Sequence, residues 1–277
     1  MSSTDDEQRI SRTEGRGLFG LDVPGYDSIR PEYPATVYER LQEVCGLASG
    51  TWTLEIGAGS GLATRELIAL GANPLVAIEP DQALADQLRH VVNSTDARVD
   101  VHVASFEEFM LPDHTFDLAV AATSFHWVDP PVGLAKVRSV LRPGGAWAMW
   151  WNVFGDPDRD DPFHDATHGL MAPLHQSPSA GESGKPPYSL DTETRMGELS
   201  APGFERIDHR LMRWSVVYGP DEIRALYGTF SSVNRLPGTE REDLLDALSE
   251  IAKNQFGGAV ERHMVTSMYT SFRPPLD

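Results

Sequence analysis

The chain has 277 residues, enough for one large domain or a domain with a cap. Its 23 Lys and Arg against 41 Asp and Glu leave a formal charge of -18; a phosphate backbone repels such a surface, which argues against general nucleic-acid binding. No apolar run reaches about 18 residues, no apolar stretch follows the charged start MSSTDDEQRISRTEGRG, and Cys45 is the only cysteine, so no transmembrane helix, secretory signal or intramolecular disulfide is expected and a cytoplasmic setting is the default.

Residues 1–20 are polar and glycine-containing and predict a flexible arm. PATVYERLQEVCGL (34–47) carries helical spacing through Val37, Leu41, Val44 and Leu47. WTLEI (52–56) reads as a buried strand, and GLATRELIALG (61–71) as a helix ended by Gly71. PLVAIE (74–79) is a second strand, followed by the helix DQALADQLRHVV (81–92) with Asp81 as N-cap. RVDVHVAS (98–105) is a third strand. FDLAVAA (116–122) is a fourth, nearly all apolar, as a strand buried on both faces should be. PPVGLAKVRSVL (130–141) is a helix, LRPGG (141–145) a turn and AWAMWWNV (146–153) a fifth strand. Strands alternating with helices predict an α/β fold with a doubly wound, mostly parallel sheet.

The alternation stops at residues 155–190, which are rich in Pro, Gly, Asp and Ser and read as a lid or insertion. FERIDHR (204–210) and MRWSVVYG (212–219) predict an antiparallel hairpin that closes the sheet. The tail predicts three helical runs: DEIRALYGTF (221–230), EREDLLDALSEIAKNQF (240–256) and GAVERHMVTSMY (258–269).

The chemistry gathers at LEIGAGSG (54–61), where Gly57, Gly59 and Gly61 alternate between a strand and a helix start. Such a turn lets a ligand approach the backbone and presents N–H groups to a nucleotide-like cofactor. The spacing G-x-G-x-G differs from the dinucleotide fingerprint G-x-G-x-x-G and points away from NAD and FAD. Glu79 closes the second strand about 20 residues past the turn, where a ribose-binding acid is expected. Its two oxygens can accept from both ribose hydroxyls; the alternative is the exposed end of a strand. His164 and His168 sit four apart beside Asp160, Asp161 and Asp165, without a full ligand set, so no metal is expected. G-x-S-x-G is missing, and GSG lacks the lysine of a P-loop.

Four blocks in order, YDSIRPEYP (26–34), LEIGAGSG (54–61), FDLAVAATSFHWVD (116–129) and LRPGG (141–145), make the chain resemble the class I S-adenosylmethionine-dependent methyltransferases from about residue 19 to 272. Within them it is most similar to the type 11 group and its trans-aconitate methyltransferase-like small-molecule branch. The resemblance implies a Rossmann-like methyltransferase fold of seven strands, the last antiparallel, as a single domain over 21–277. Cap elements are then expected at about 21–48, at 153–195 after the fifth strand, and at 220–277. It implies S-adenosyl-L-methionine as cofactor and S-adenosyl-L-homocysteine as product.

By the same resemblance the cofactor shell is Tyr26, Arg30, Glu55, Gly57, Ala58, Gly59, Gly61, Glu79, Pro80, Ser105, Phe106 and Ala121. Glu55 lies near the methionyl ammonium or else stabilises the turn. Arg30 pairs with the methionyl carboxylate and Tyr26 covers the methyl donor, or the two are a surface ion pair and a packing tyrosine. Ser105 departs from the family, which often places an acid there for the adenine amino group; Phe106 packs on the base or simply fills the core. His126 is a general base or polar guide near the methyl group, or a histidine that supports its loop. The expected substrate is a small molecule, a carboxylic acid or an aromatic natural product, methylated on O, N or C. Trp150, Trp151, Tyr227 and Phe230 would offer it apolar surface, and Arg195, Arg210, Arg213, Arg224 and Arg235 a carboxylate clamp. The alternatives are a catalytically silent cofactor-binding partner or sensor and, less well matched, an NAD-dependent oxidoreductase. No nucleic-acid or membrane partner is expected, and oligomeric state is not readable.

Overall fold

Apolar runs separated by amphipathic helices must bury both faces of a sheet, and the chain does so around seven strands. The computed structural model describes residues 9–18, 29–181 and 184–275. Helix α1 (Arg12–Arg16) is followed by α2 (Ala35–Glu43), β1 (Thr51–Ile56), α3 (Leu62–Ala69), β2 (Ala72–Ile78) and α4 (Gln82–Val92). Then come β3 (Val99–His102), β4 (Phe116–Ala122), α5 (Pro130–Val140) and β5 (Leu141–Phe154). Asp81 caps α4 as expected, accepting from the N–H groups of Ala83 and Leu84, and Asp129 caps α5 through Val132 N–H. The second half holds α6 (Pro162–Met171), α7 (Thr192–Ser200), β6 (Glu205–Tyr218), α8 (Pro220–Tyr227), α9 (Ser231–Asn234), α10 (Gly238–Gln255) and β7 (Val260–Phe272).

The strand order is β3-β2-β1-β4-β5-β7-β6. Strands β1 to β5 run parallel, and β7 lies antiparallel between β5 and β6. The chain winds outward from β1 to β3 and restarts at β4 on the other side, so the crevice between β1 and β4 is the switch point at which ligands bind in such sheets. Helices α2, α3 and α4 pack Val37, Leu41, Leu67 and Leu88 on one face, against Leu75, Val120 and Trp150. Helices α5 and α7 pack Leu134, Val137 and Leu199 on the other, against Ile56, Ala119 and Trp147. A third core lies in the helical cap, where Phe163, Ile223, Leu226, Leu245 and Leu248 meet Val260.

Several expectations are corrected. LRPGG is no separate turn: Leu141 already pairs with Phe116, and a register shift before Ala146 absorbs the extra residues within β5. The supposed hairpin is one 14-residue strand, β6. His209-Arg210-Leu211-Met212 contains none of the Gly, Asn or Asp pairs that a tight hairpin turn requires. Its partner is β7, which had read as a helix and as part of a cap running to 277. Wedged between two strands, β7 is buried along almost its whole length, and Val260, Val265, Thr266, Tyr269, Thr270 and Phe272 suit a pleated surface. Residues 9–18, expected in the flexible arm, are packed. Ile10 is buried and donates to Gln176 O (3.0 Å), Gly15 lies against the Trp127 ring, and Asn234 donates to Leu18 O (3.0 Å). No helix among the described residues is long and apolar enough to cross a membrane.

One buried ion pair ties the cap to the sheet. Arg262 on β7 donates to the Asp161 carboxylate (3.0 Å) and the Tyr227 hydroxyl (3.0 Å), with its guanidinium 5.5 Å from the Phe163 ring centre. Asp161 also caps α6 through His164 N–H (3.0 Å). Removing the carboxylate strands a buried guanidinium. Asp161→Ala should therefore cost roughly 3–5 kcal/mol in a urea titration, whereas a loss under about 1 kcal/mol would show that the pair does not anchor the cap.

Candidate active site

A cavity of about 390 Å³ opens over the carboxyl ends of β1, β2 and β4, at the switch point. Its floor is the glycine turn, and its walls include Glu79, Pro80, the run Ser105-Phe106-Glu107, Thr123, Ser124 and His126. Arg16, Arg30 and Tyr33 close it from the N-terminal side, and residues from 171–180, 187–189 and 230–232 roof it.

The turn is held down by β2: the N–H groups of Gly57 and Ala58 both donate to Ile78 O (2.7 and 3.2 Å). Gly57 takes φ 67°, and a Cβ on it would stand 2.5 Å from the Ser124 Cβ, so only glycine fits. Gly59 takes φ 59°, and no atom lies within 4 Å of where its Cβ would be, which leaves the backbone open to a ligand. Glu79 lies at the end of β2 and is 5% exposed. One carboxylate oxygen accepts from Gly59 N–H (2.8 Å), the other from Asp81 N–H (2.9 Å). Burial pushes this carboxyl up to about 7, opposed by those two hydrogen bonds.

Of the expected shell, Arg30, Gly57, Ala58, Gly59, Glu79, Pro80, Ser105, Phe106 and His126 line this one cavity. Arg30 donates to the hydroxyl and carbonyl oxygens of Thr229 (2.8 and 3.1 Å) and lies over Phe230. Ser105 donates to Glu108 (2.9 Å). Phe106 is at once cavity wall and core, 3% exposed beneath the Lys136 ammonium. Tyr26 lies outside the described residues.

Three members of the shell are off the wall. Gly61 sits behind the turn, where it starts α3 at φ 101°. Ala121 is buried in the sheet, and Ala122 and Thr123, at the carboxyl end of β4, line the cavity instead. Glu55 is fully buried. One of its oxygens accepts from the Thr64 hydroxyl (2.6 Å) and the other has no partner among the described residues. Burial drives its carboxyl up to about 8, and the charge of Glu79 adds to the rise.

His126 is 4% exposed, and its Nδ1 accepts from the Trp151 indole N–H (3.0 Å). Burial, with Arg12 and Arg30 nearby, pushes the imidazole down to about 3, so the ring is neutral at physiological pH. Trp151 and Phe230 line the cavity, but Trp150 packs beneath the sheet and Tyr227 lies in the cap core. The five arginines of the expected clamp are all engaged elsewhere: Arg195 with Glu198, Arg210 with Asp208, Arg213 with Asp156 and Asp158, Arg224 with Glu242 and Asp246, and Arg235 with Glu14. His164 and His168 share one face of α6, their ring centres 5.7 Å apart, and no three metal-binding side chains gather among the described residues.

The sequence reading missed other wall residues. Thr123 takes φ 52°, an uncommon conformation for a β-branched residue, and accepts from the Tyr33 hydroxyl (2.9 Å). Its place at the end of β4 was the available signal. Arg16 donates to Glu107 (2.5 Å), whose other oxygen is buried without a partner among the described residues. No local pattern announces a pair 91 positions apart.

Glu55 makes a pH prediction. Its folded pKa lies above the ordinary glutamate value of 4.5, so its contribution to stability is full below 4.5 and is lost as pH rises towards 8. Glu55→Gln cannot ionise. The melting temperature of this variant relative to the parent should rise between about pH 5 and 8 and level off above that, and a constant difference would contradict the burial argument.

The family model for a methyltransferase domain matches residues 54–149. An uncharacterised methyltransferase of Schizosaccharomyces pombe is 27% identical over 264 residues, covering 94% of this chain and 98% of that one. The structure of a putative type II methyltransferase from Anaeromyxobacter dehalogenans superposes with a TM-score of 0.62 at 24% identity, covering 89% of this chain and 99% of the other. A phosphoethanolamine N-methyltransferase 2 of Haemonchus contortus, solved with phosphomonomethylethanolamine and S-adenosylhomocysteine, gives 0.59 at 13% identity over 96% of this chain and 60% of that one. The matched span, 54–149, contains the glycine turn, Glu79 and His126; the chain carries a methyltransferase domain, and these similarities support an S-adenosylmethionine-dependent methyltransferase.

Proposed function

We propose that the cavity binds S-adenosylmethionine with its ribose on Glu79, and that the chain methylates a small molecule held beneath the cap. The Glu79 carboxylate carries this reading. Each of its oxygens spends one lone pair on a backbone N–H, and the remaining lone pairs serve two adjacent hydroxyls. Gly59 leaves room beside it, Phe106 offers a face to the base, and the unpartnered oxygen of Glu107 suits an exocyclic amine. That assignment moves the adenine acceptor two residues on from Ser105. Arg30 suits the methionyl carboxylate.

When bound, S-adenosylmethionine supplies a methyl group on a positively charged sulfur, already activated. The protein's own task is then to hold the acceptor in line and to exclude water. Arg16, Trp127 and the 171–180 segment perform the second part by roofing the cavity. Val153, Phe154, Met171, Leu174 and Phe230 make the far wall apolar, with His175, Gln176 and Ser177 as polar points. Among the described lining residues the only carboxylates are Glu79 and Glu107, both at the cofactor end. An ammonium-bearing substrate would find no counter-charge among the described residues of the far wall, so a neutral or anionic acceptor fits best.

Calorimetry with S-adenosylhomocysteine tests the cofactor site. Glu79→Ala should weaken binding roughly 10–100-fold, the magnitude of one or two hydrogen bonds to a charged group. Unchanged affinity would remove Glu79 from the site. Absence of binding by the parent protein would overturn the proposed site and its chemistry. A radiolabelled-methyl screen should then find turnover among carboxylic acids and aromatic acceptors before amines.

A further inference from the structure

The ring of His126 is committed in a way that decides what it can do. An indole N–H only donates, so Nδ1, 3.0 Å from Trp151 Nε1, must carry a lone pair. A neutral imidazole has one proton, and it therefore sits on Nε2. Nε2 has no hydrogen-bond partner among the described residues, and the ring lines the cavity.

The indole cannot easily turn away. Trp151 is 2% exposed on β5, edge-on to Tyr188 (5.5 Å) and Tyr269 (6.4 Å). Tyr188 is pinned in turn beneath the Arg195 guanidinium, 3.6 Å from its ring centre. Placing a second proton on Nδ1 would set one N–H against another. The groups around the ring also oppose a positive charge: Arg12, which donates to the His126 carbonyl oxygen (3.4 Å), and Arg30 are cationic, and Trp127 and Tyr188 are neutral.

We propose that His126 is a specificity-determining hydrogen-bond donor, its tautomer locked by Trp151, which selects substrates that present an acceptor oxygen, such as a carbonyl or carboxylate, and removes no proton. The proposal rests on the methyltransferase reading for its substrate and on the Trp151 contact for its chemistry. A nitrogen that already holds its proton at the cavity face cannot take one there. A buried donor left unmet is costly, so a ligand that opposes it with an ammonium is rejected. The methyl acceptor must then reach the site already ionised or lose its proton elsewhere.

Nitrogen-15 NMR of the histidine rings in the full chain tests the tautomer, with His126→Gln identifying the signal. The expected result is protonated Nε2 and bare Nδ1 throughout about pH 5 to 8, and a tautomer mixture or a titration in Trp151→Phe. Protonated Nδ1, or an imidazolium within that range in the parent, would overturn the lock. Selection is tested with phenylacetate and phenethylamine as probes on the S-adenosylhomocysteine complex. Phenylacetate should shift the Nε2–H resonance and phenethylamine should not; a shift by the amine, or by neither, would overturn the selecting role. His126→Phe should weaken phenylacetate roughly tenfold, about 1.4 kcal/mol, and His126→Gln, which keeps a donor, should recover most of that. If S-adenosylhomocysteine itself fails to bind, the cofactor reading falls, while the ring's tautomer is still decided by the first spectrum.

Discussion

Two backbone N–H groups from different turns converge on one buried carboxylate, and the cavity takes its shape from that convergence. Gly59 belongs to the turn after β1 and Asp81 to the turn after β2; Glu79 binds both. The carboxylate sits beside the switch point and draws the glycine turn over the end of β2, where Ile78 O receives two further N–H groups. Without Glu79 those donors would lose their acceptor, and the open backbone at Gly59 would have nothing to hold its place. A group that stiffens the apo site in this way still has lone pairs left for a ligand, which explains how one residue can serve both structure and binding.

Electrostatics divides the cavity into two ends. Glu79 and Glu107 stand at one, with Arg16 on Glu107. Burial makes Glu79 expensive to ionise, and its two backbone hydrogen bonds, with the charge of Arg16, offset that cost. Glu55, deeper in the sheet with only Thr64 to help, stands at about 8 and lies off the wall. The other end is apolar and roofed by the cap, and near the divide His126 stays neutral beside Arg12 and Arg30. Carboxylates at one end and apolar walls at the other favour a polar cofactor and a less polar substrate meeting between them.

Much of this was legible in the sequence, and the reasons differ by element. The central strands β1, β2, β4 and β5 announced themselves because strands buried on both faces need largely apolar runs, and Asp81 marked a helix start. Register within a strand was harder. Ala122 and Trp150 pair on one face and Trp151 packs on the other, yet Ala122 and Trp151 line the cavity, because only the folded sheet fixes where β4 ends against β5. β7 escaped because its partners lie far off in sequence: Met264 pairs with Phe154 on one side and Trp214 on the other. The packed arm escaped for the same reason, since Arg16 and Ile10 find their partners at Glu107 and Gln176. Glu55 looked like a ligand because its position in the motif is the family's, yet the Thr64 contact turns it inward.

The most direct measurement is a crystal structure of the protein with S-adenosylhomocysteine. The account predicts both ribose hydroxyls within hydrogen-bond distance of the Glu79 carboxylate, with the amino-acid end of the ligand beside Arg30 and the base against Phe106. A ribose that leaves Glu79 untouched, or a base lodged at the apolar end against Met171 and Leu174 instead of Phe106, would contradict it.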